Sequence, residues 1–241
     1  MTGRRCALAV APVEWRVTVS DLLETVEFET GATPAAAVIW MHGLGADGHD
    51  FAPIVPELGL PRSRSVRFVF PHAPMRPVTI NQGWVMRAWY DVREDRGERR
   101  EDEAGVRASQ RAITTLIERE RSRGVPDRRV VLAGFSQGGA MALHTGLRHP
   151  ERLAGIMALS CFLPLSTTLD AEVSPANRDV PVFMAHGTED PMIPLPRGRR
   201  GYDTLAALGY SLEWHDYRMA HAVSPEEIRD ISDWLARVLS R

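Results

Sequence analysis

The sequence predicts an α/β fold, a mostly parallel sheet with helices on both faces, on three observations. Short apolar runs rich in β-branched residues recur along the chain. Most are continuous rather than alternating, the pattern of strands buried on both faces. Segments of helical period lie between them, which favours parallel strands joined through helices. The 241 residues, 44% hydrophobic, are enough for one large core. One domain over 1–241 is therefore expected, with 1–30 as an N-terminal extension and first strand.

The strand candidates, in order, are "AAAVIWM" at 35–41, "VRFVF" at 66–70, "RVVLAG" at 129–134, "LAGIMALS" at 153–160, "VPVFMAHG" at 180–187 and "YSLEWHDY" at 210–217. A helix is expected from Glu103 to Arg123, where Val106, Ile113, Leu116 and Ile117 share one face. "GGAMALHTGLRHP" continues as a second helix. At the C-terminus Ile228, Ile231, Trp234, Leu235, Val238 and Leu239 repeat the spacing. That helix has a visible start: Ser224 as N-cap, Pro225 at the first helical position and Glu227 as the acid of a capping box. "REDRGERREDE" at 93–103 reads as a solvated loop, and 163–179 fits neither period.

Composition excludes several classes. A net charge of −2 from 29 basic and 31 acidic residues gives no polyanion-binding field, so nucleic acid is not an expected partner. Cys6 and Cys161 form neither a disulfide framework nor a thiolate metal site. "MTGRRCALAVAPV" has the outline of a secretory signal, but its apolar run stops at Pro12, with Glu14 and Arg16 close behind. A cytoplasmic chain without an integral membrane segment is expected. Exposed apolar residues leave a homodimer possible.

The stretch "GFSQGG" at 134–139 sits between a strand signal and a helix signal. G-x-S-x-G recurs by chance, but strand–turn–helix is the setting that a nucleophile elbow requires. Glycines at 134 and 138 suit a tight turn whose central residue, Ser136, is strained. A serine hydroxyl needs a base to take its proton during attack. In this arrangement an acid and then a histidine follow later in the chain, each just past a strand. Asp190, after "VPVFMAHG", and His221, after "SLEWHDY", meet the requirement.

Other candidates fail on position. His215 and Asp216 fall within a strand pattern, while His144 and His149 lie on or after the helix that follows Ser136. Asp170, Asp179 and Asp203 do not directly follow a strand. Ser160 lacks a glycine-flanked turn, Cys161 reads as a small buried residue, and His186 suits a turn-stabilising hydrogen bond. An oxyanion hole would take one N–H from Gln137 and one from "MHGLGADGHD" at 41–50, where Leu44 is the chosen donor and His42 a brace. The Walker lysine is missing from that loop, and the histidines lack zinc-ligand spacing, so neither a phosphate-binding loop nor a metallohydrolase is expected. Trp84, Met86, Trp89 and Leu163 are candidates for an acyl groove, set against the ordinary use of such residues as core.

"HGLGADGHDF", "PHAP", "MRAWYD", "GFSQGGAMAL", "HGTEDPMIP" and "MAH" resemble, in order and spacing, the phospholipase/carboxylesterase family of α/β hydrolases. That family includes bacterial carboxylesterases and eukaryotic acyl-protein thioesterases. The resemblance runs from roughly Ala35 to the C-terminus. It implies a Ser136, Asp190, His221 triad, main-chain donors at Leu44 and Gln137, and cleavage of carboxylic ester or thioester bonds without cofactor. "MRAWYD" looks more like the carboxylesterase branch. Esters of small or medium acyl chains are therefore the first expectation, with an acyl-protein thioesterase or lysophospholipase second. A catalytically silent ligand-binding protein is the non-enzyme alternative. Gln82, Cys161 and Arg218 depart from the family pattern and bear on pocket shape rather than on the reacting groups.

Overall fold

The structure, a computed structural model, describes residues 22–60, 65–95 and 98–240. Cys6 and the signal-like run at the start lie outside the described residues. Seven strands form the main sheet: β1 (Thr25–Glu29), β2 (Ala36–Met41), β3 (Val66–Pro71), β8 (Val130–Phe135), β9 (Gly155–Leu159), β10 (Val182–Gly187) and β11 (Leu212–Tyr217). Their spatial order is β1-β3-β2-β8-β9-β10-β11. Only β1 runs antiparallel to its neighbour, with Thr25 opposite Pro71 and Glu29 opposite Arg67. All six strand candidates therefore belong to one sheet.

The continuous apolar runs have the cause expected of them. Ala37, Ile39 and Met41 of β2 enter one core cluster, while Ala36, Val38 and Trp40 enter the other. Consecutive side chains of a strand point to opposite faces, so every residue of β2 is buried. On the first face lie α1 (Glu103–Ser122), α2 (Gln137–Arg148), the single turn α3 (Leu169–Glu172) and, through Leu205, α4 (Leu195–Ala207). On the second lie α5 (Pro225–Val238) and a 3₁₀ turn over Ala52–Leu58. Val106, Ile113, Leu116 and Ile117 are all fully buried on α1, each worth roughly 1.5–3 kcal/mol relative to exposure. Above them Glu120, also buried, pairs with Arg67 of β3 at 2.7 Å, and Arg67 reaches Glu29 of β1 at 2.8 Å. This chain of charges ties the antiparallel edge to α1.

Two differences from expectation concern short antiparallel ribbons. β4 (Met75–Val78) pairs with β5 (Trp84–Arg87), and β6 (Val92–Asp95) pairs with β7 (Glu98–Glu101). The second ribbon replaces the loop expected for "REDRGERREDE". A run of charges carries no apolar period that would announce a strand. In the first ribbon the turn passes through Gln82 at φ 58°, the left-handed region. It is held by Asp91, whose carboxylate accepts from the Thr79 amide and hydroxyl, each at 2.7 Å.

α5 begins as its caps dictate, with the Glu227 amide donating to Ser224 Oγ at 3.1 Å. The Glu227 carboxylate is buried, and the Ser224 backbone amide and the nearby Asp230 act on it less than that burial does. Burial consequently pushes this carboxyl from 4.5 up to about 8. Because the folded state holds its proton more tightly than the unfolded chain does, this residue destabilises the fold progressively as pH rises through that window. Glu227→Gln should raise Tm relative to wild type at pH 8.5 and have little effect near pH 4.5. Thermal melts at the two pH values check this, and an equal shift at both would count against it.

Candidate active site

Four strand ends converge. β2 and β8 are neighbours, with Met41 opposite Gly134. The chain leaves β2 for β3 on one side and later returns to β8 on the other, so the crevice at their carboxyl ends is a topological switch point, where ligands bind in open α/β sheets. Ser136 follows β8 directly, at φ 55° and ψ −119°, and caps α2. Its amide donates to Leu159 O at 2.8 Å, which holds the strained turn against β9. The flanking glycines are required sterically. A Cβ at Gly134 would lie 2.2 Å from the Gly138 carbonyl carbon, and one at Gly138 would lie 2.2 Å from Met41 O.

Asp190 stands three residues beyond β10 and His221 four beyond β11. The two loops are laced together by the Thr188 amide to Tyr217 O at 2.8 Å and the Glu189 amide to Met219 O at 3.1 Å. His221 Nε2 lies 2.9 Å from Ser136 Oγ, and His221 Nδ1 lies 2.6 Å from Asp190 Oδ2. Asp190 is committed on both sides. Oδ1 accepts the Met192 and Ile193 amides at 2.8 and 2.9 Å, which leaves Oδ2 for the imidazole. With Asp190 taking the Nδ1 proton, Nε2 presents its lone pair to the Ser136 hydroxyl. The Asp190 side chain is fully buried and that of His221 is 18% exposed, so a charge formed on the ring is poorly screened by water. Phe135 covers the imidazole with ring centroids 4.7 Å apart.

His186 lies 3.6 Å from Asp190 Oδ2, but its Nε2 is 2.8 Å from Ile193 O. Burial depresses its pKa, so it stays neutral and serves the turn. His42 braces as expected. The Ala73 amide donates to its Nε2 at 3.0 Å, which leaves the Nδ1 proton to face Gly43 O at 2.7 Å. Its pKa falls to about 4, chiefly through burial. Leu44 and Gln137 both line the cleft beside Ser136. The Gln137 amide opens α2, where the first N–H groups lack an intrahelical acceptor and the dipole is positive.

The cleft has a volume of about 400 Å³. Leu44, Ile80, Phe135, Phe162, Met192 and Ile193 give it apolar walls, and Asp50 and Arg197 are its charged members. The Arg197 guanidinium lies 3.9 Å from the Phe162 ring centroid.

None of Trp84, Met86 and Trp89 lines this cleft, and Leu163 lines an adjoining pocket that shares Phe162 and Arg197 with it. Trp84 is 72% exposed on the β4–β5 ribbon. Met86, on the same ribbon, accepts from Asn81 Nδ2 at 3.3 Å. Leu163 packs beneath Gly201 of α4. Trp89 is fully buried and donates its indole N–H to His42 O at 2.9 Å. Sequence reasoning also missed the Gln137 side chain, which accepts from the Trp89 amide and donates to Tyr90 O, each at 2.8 Å. These contacts lock the elbow to the 89–90 segment. No local signal marks them, because the partners are 47 or 48 residues apart.

Two of the rival histidines have structural partners. His144 meets Gln110 at 3.0 Å, and His149 meets Asp127 at 2.7 Å. His215 and Asp216 lie in β11, Asp170 in α3 and Asp203 in α4, while Asp179 pairs with Arg152. Ser160 and Cys161 are buried, and burial raises the Cys161 thiol pKa.

Residues 24–239 match the family model described as Phospholipase/Carboxylesterase. Acyl-protein thioesterase 1 of Gibberella zeae is 39% identical over 229 residues, covering 91% of this chain and 97% of that protein. Acyl-protein thioesterase 1 of Neurospora crassa is 41% identical over 220 residues, covering 87% and 89%. Among solved structures, acyl-protein thioesterase 2 of Zea mays superposes with a TM-score of 0.79 at 28% identity, over 90% of this chain and 99% of that one.

Proposed function

We propose that this chain, which belongs to the phospholipase/carboxylesterase family of α/β hydrolases, cleaves thioesters and esters of apolar acyl chains through Ser136, His221 and Asp190. One observation carries the reading: an unbroken line of hydrogen bonds from Asp190 through His221 to Ser136 Oγ, at the floor of a largely apolar cleft.

Ser136 Oγ attacks the acyl carbonyl carbon as His221 Nε2 takes its proton, and Asp190 stabilises the imidazolium that forms. The Leu44 and Gln137 amides receive the developing oxyanion. The bond to the leaving sulfur or oxygen then breaks, and His221 returns the proton to it. Water, activated by the same imidazole, releases the acid and restores Ser136. A thiol, with a pKa of roughly 8.5, leaves with less help from a general acid than an alcohol does.

The relatives at 39% and 41% identity bear the name acyl-protein thioesterase, which supports placing thioesters first. This reverses the order suggested by "MRAWYD". Steady-state kinetics on a palmitoyl-thioester peptide and on p-nitrophenyl acetate test it. The expected result is the higher kcat/KM on the thioester. A higher value on the acetate would return the chain to the small-ester reading.

A further inference from the structure

Asp47, His49 and His72 converge outside the cleft, and the hydrolytic mechanism uses none of them. One ligand atom from each lies within 4.8 Å of the others. His49 Nδ1 and Asp47 Oδ1 are already 3.1 Å apart. An ion with bonds of about 2.0–2.1 Å holds tetrahedral ligand atoms roughly 3.3 Å apart, so small side-chain rotations close the set. We propose that these three side chains bind a divalent transition-metal ion of the Zn²⁺ type, clamping the loop that carries Leu44 to the end of β3.

The chemistry of the donors suits such an ion. Two imidazoles and a carboxylate are borderline nitrogen and hard oxygen ligands, the set that zinc and its neighbours accept and that magnesium or calcium does not favour. An Asx turn explains part of the arrangement, because Asp47 Oδ1 accepts the His49 amide at 2.8 Å. It does not explain why His72 arrives from the far end of β3. The His72 amide donates to Glu24 O at 2.8 Å, and its Nδ1 accepts the Gly48 amide at 3.1 Å. Gly48 is seated so closely that a Cβ there would lie 2.4 Å from Phe70 O. Loop and strand are therefore in register before any ion arrives.

His49 and Asp47 side chains are 71% and 46% exposed, so water completes the coordination sphere. Asp50 and Glu24 add negative charge near the cluster, and Arg87, bonded to Ala73 O at 3.0 Å, opposes it.

The test is isothermal titration of ZnCl₂ into the untagged full-length protein after EDTA treatment and dialysis. One equivalent should bind and raise Tm. His49→Ala, whose side chain faces solvent, should fold as wild type by circular dichroism. It should lose at least about tenfold in affinity, since even partners outside the coordination sphere are worth 10–100-fold. Asp47→Asn keeps the Asx turn and should also weaken binding. His221→Ala should bind Zn²⁺ as wild type does. No heat in wild type, unchanged affinity in His49→Ala, or loss of binding in His221→Ala would each overturn the proposal.

Discussion

Ser136→Ala should abolish turnover, lowering kcat by on the order of 10⁶-fold if this triad acts as a unit, as it does in subtilisin. The physical reason is that no other described group can replace the lost oxygen. Ser160 Oγ is buried, Cys161 is buried with a raised pKa, and the His221 lone pair points at Ser136 alone. The fold should survive, because the backbone at 136 is held by its amide to Leu159 O and its carbonyl to the Ala140 amide, not by the hydroxyl. Alanine must still adopt φ 55°, a strain that serine already bears. Loss of hydrolysis should therefore coincide with an unchanged circular dichroism spectrum and loss of fluorophosphonate labelling. Turnover of the thioester or of p-nitrophenyl acetate near the wild-type rate would exclude Ser136 as the nucleophile.

Asp190→Asn should cost about 10⁴-fold in kcat, the loss seen when the buried aspartate of the chymotrypsin-type triad is made an amide. Two backbone N–H groups, from Met192 and Ile193, converge on Oδ1, so the amide oxygen of asparagine must face them. Its NH₂ then faces His221 Nδ1, which becomes an acceptor, and the ring proton moves to Nε2. That nitrogen now meets Ser136 Oγ as a donor and cannot take its proton. Asp190→Ala separates chemistry from architecture. It leaves the same two amides without their acceptor and should also destabilise the fold by about 1–3 kcal/mol. Melts and kcat measured side by side on the two variants check both parts. An Asn variant with wild-type turnover would mean that another group orients the imidazole.

Much of this site is legible along the chain because its proposed reacting groups sit where one segment ends. Ser136, Asp190 and His221 each follow a continuous apolar run, and Ser224 with Pro225 marks the helix behind the last of them. The cleft was not legible. Ile80 comes from a turn beside the β4–β5 ribbon, Phe162 from the loop after β9, and Met192 and Arg197 from the chain after Asp190. Trp84 and Trp89 show why composition misleads there. Both are large and apolar, yet one is exposed on a ribbon and the other is wholly consumed in bracing His42 and the Gln137 side chain. The proposed metal ligands follow the same rule, since the 22 residues between His49 and His72 conceal a contact between the loop after β2 and the end of β3.

From the amino-acid order alone came the parallel sheet, the strained serine turn and the proposed acid and base, because each depends on short-range pattern: burial on two faces, glycine at fixed offsets, a polar residue just past a strand. Only the tertiary structure decided which side chains wall the cleft, which oxygen of Asp190 is left for the imidazole, and that Glu227 is buried. Those outcomes are set by packing between segments far apart in the chain, where a shift of an ångström changes the partner and no local preference records the choice.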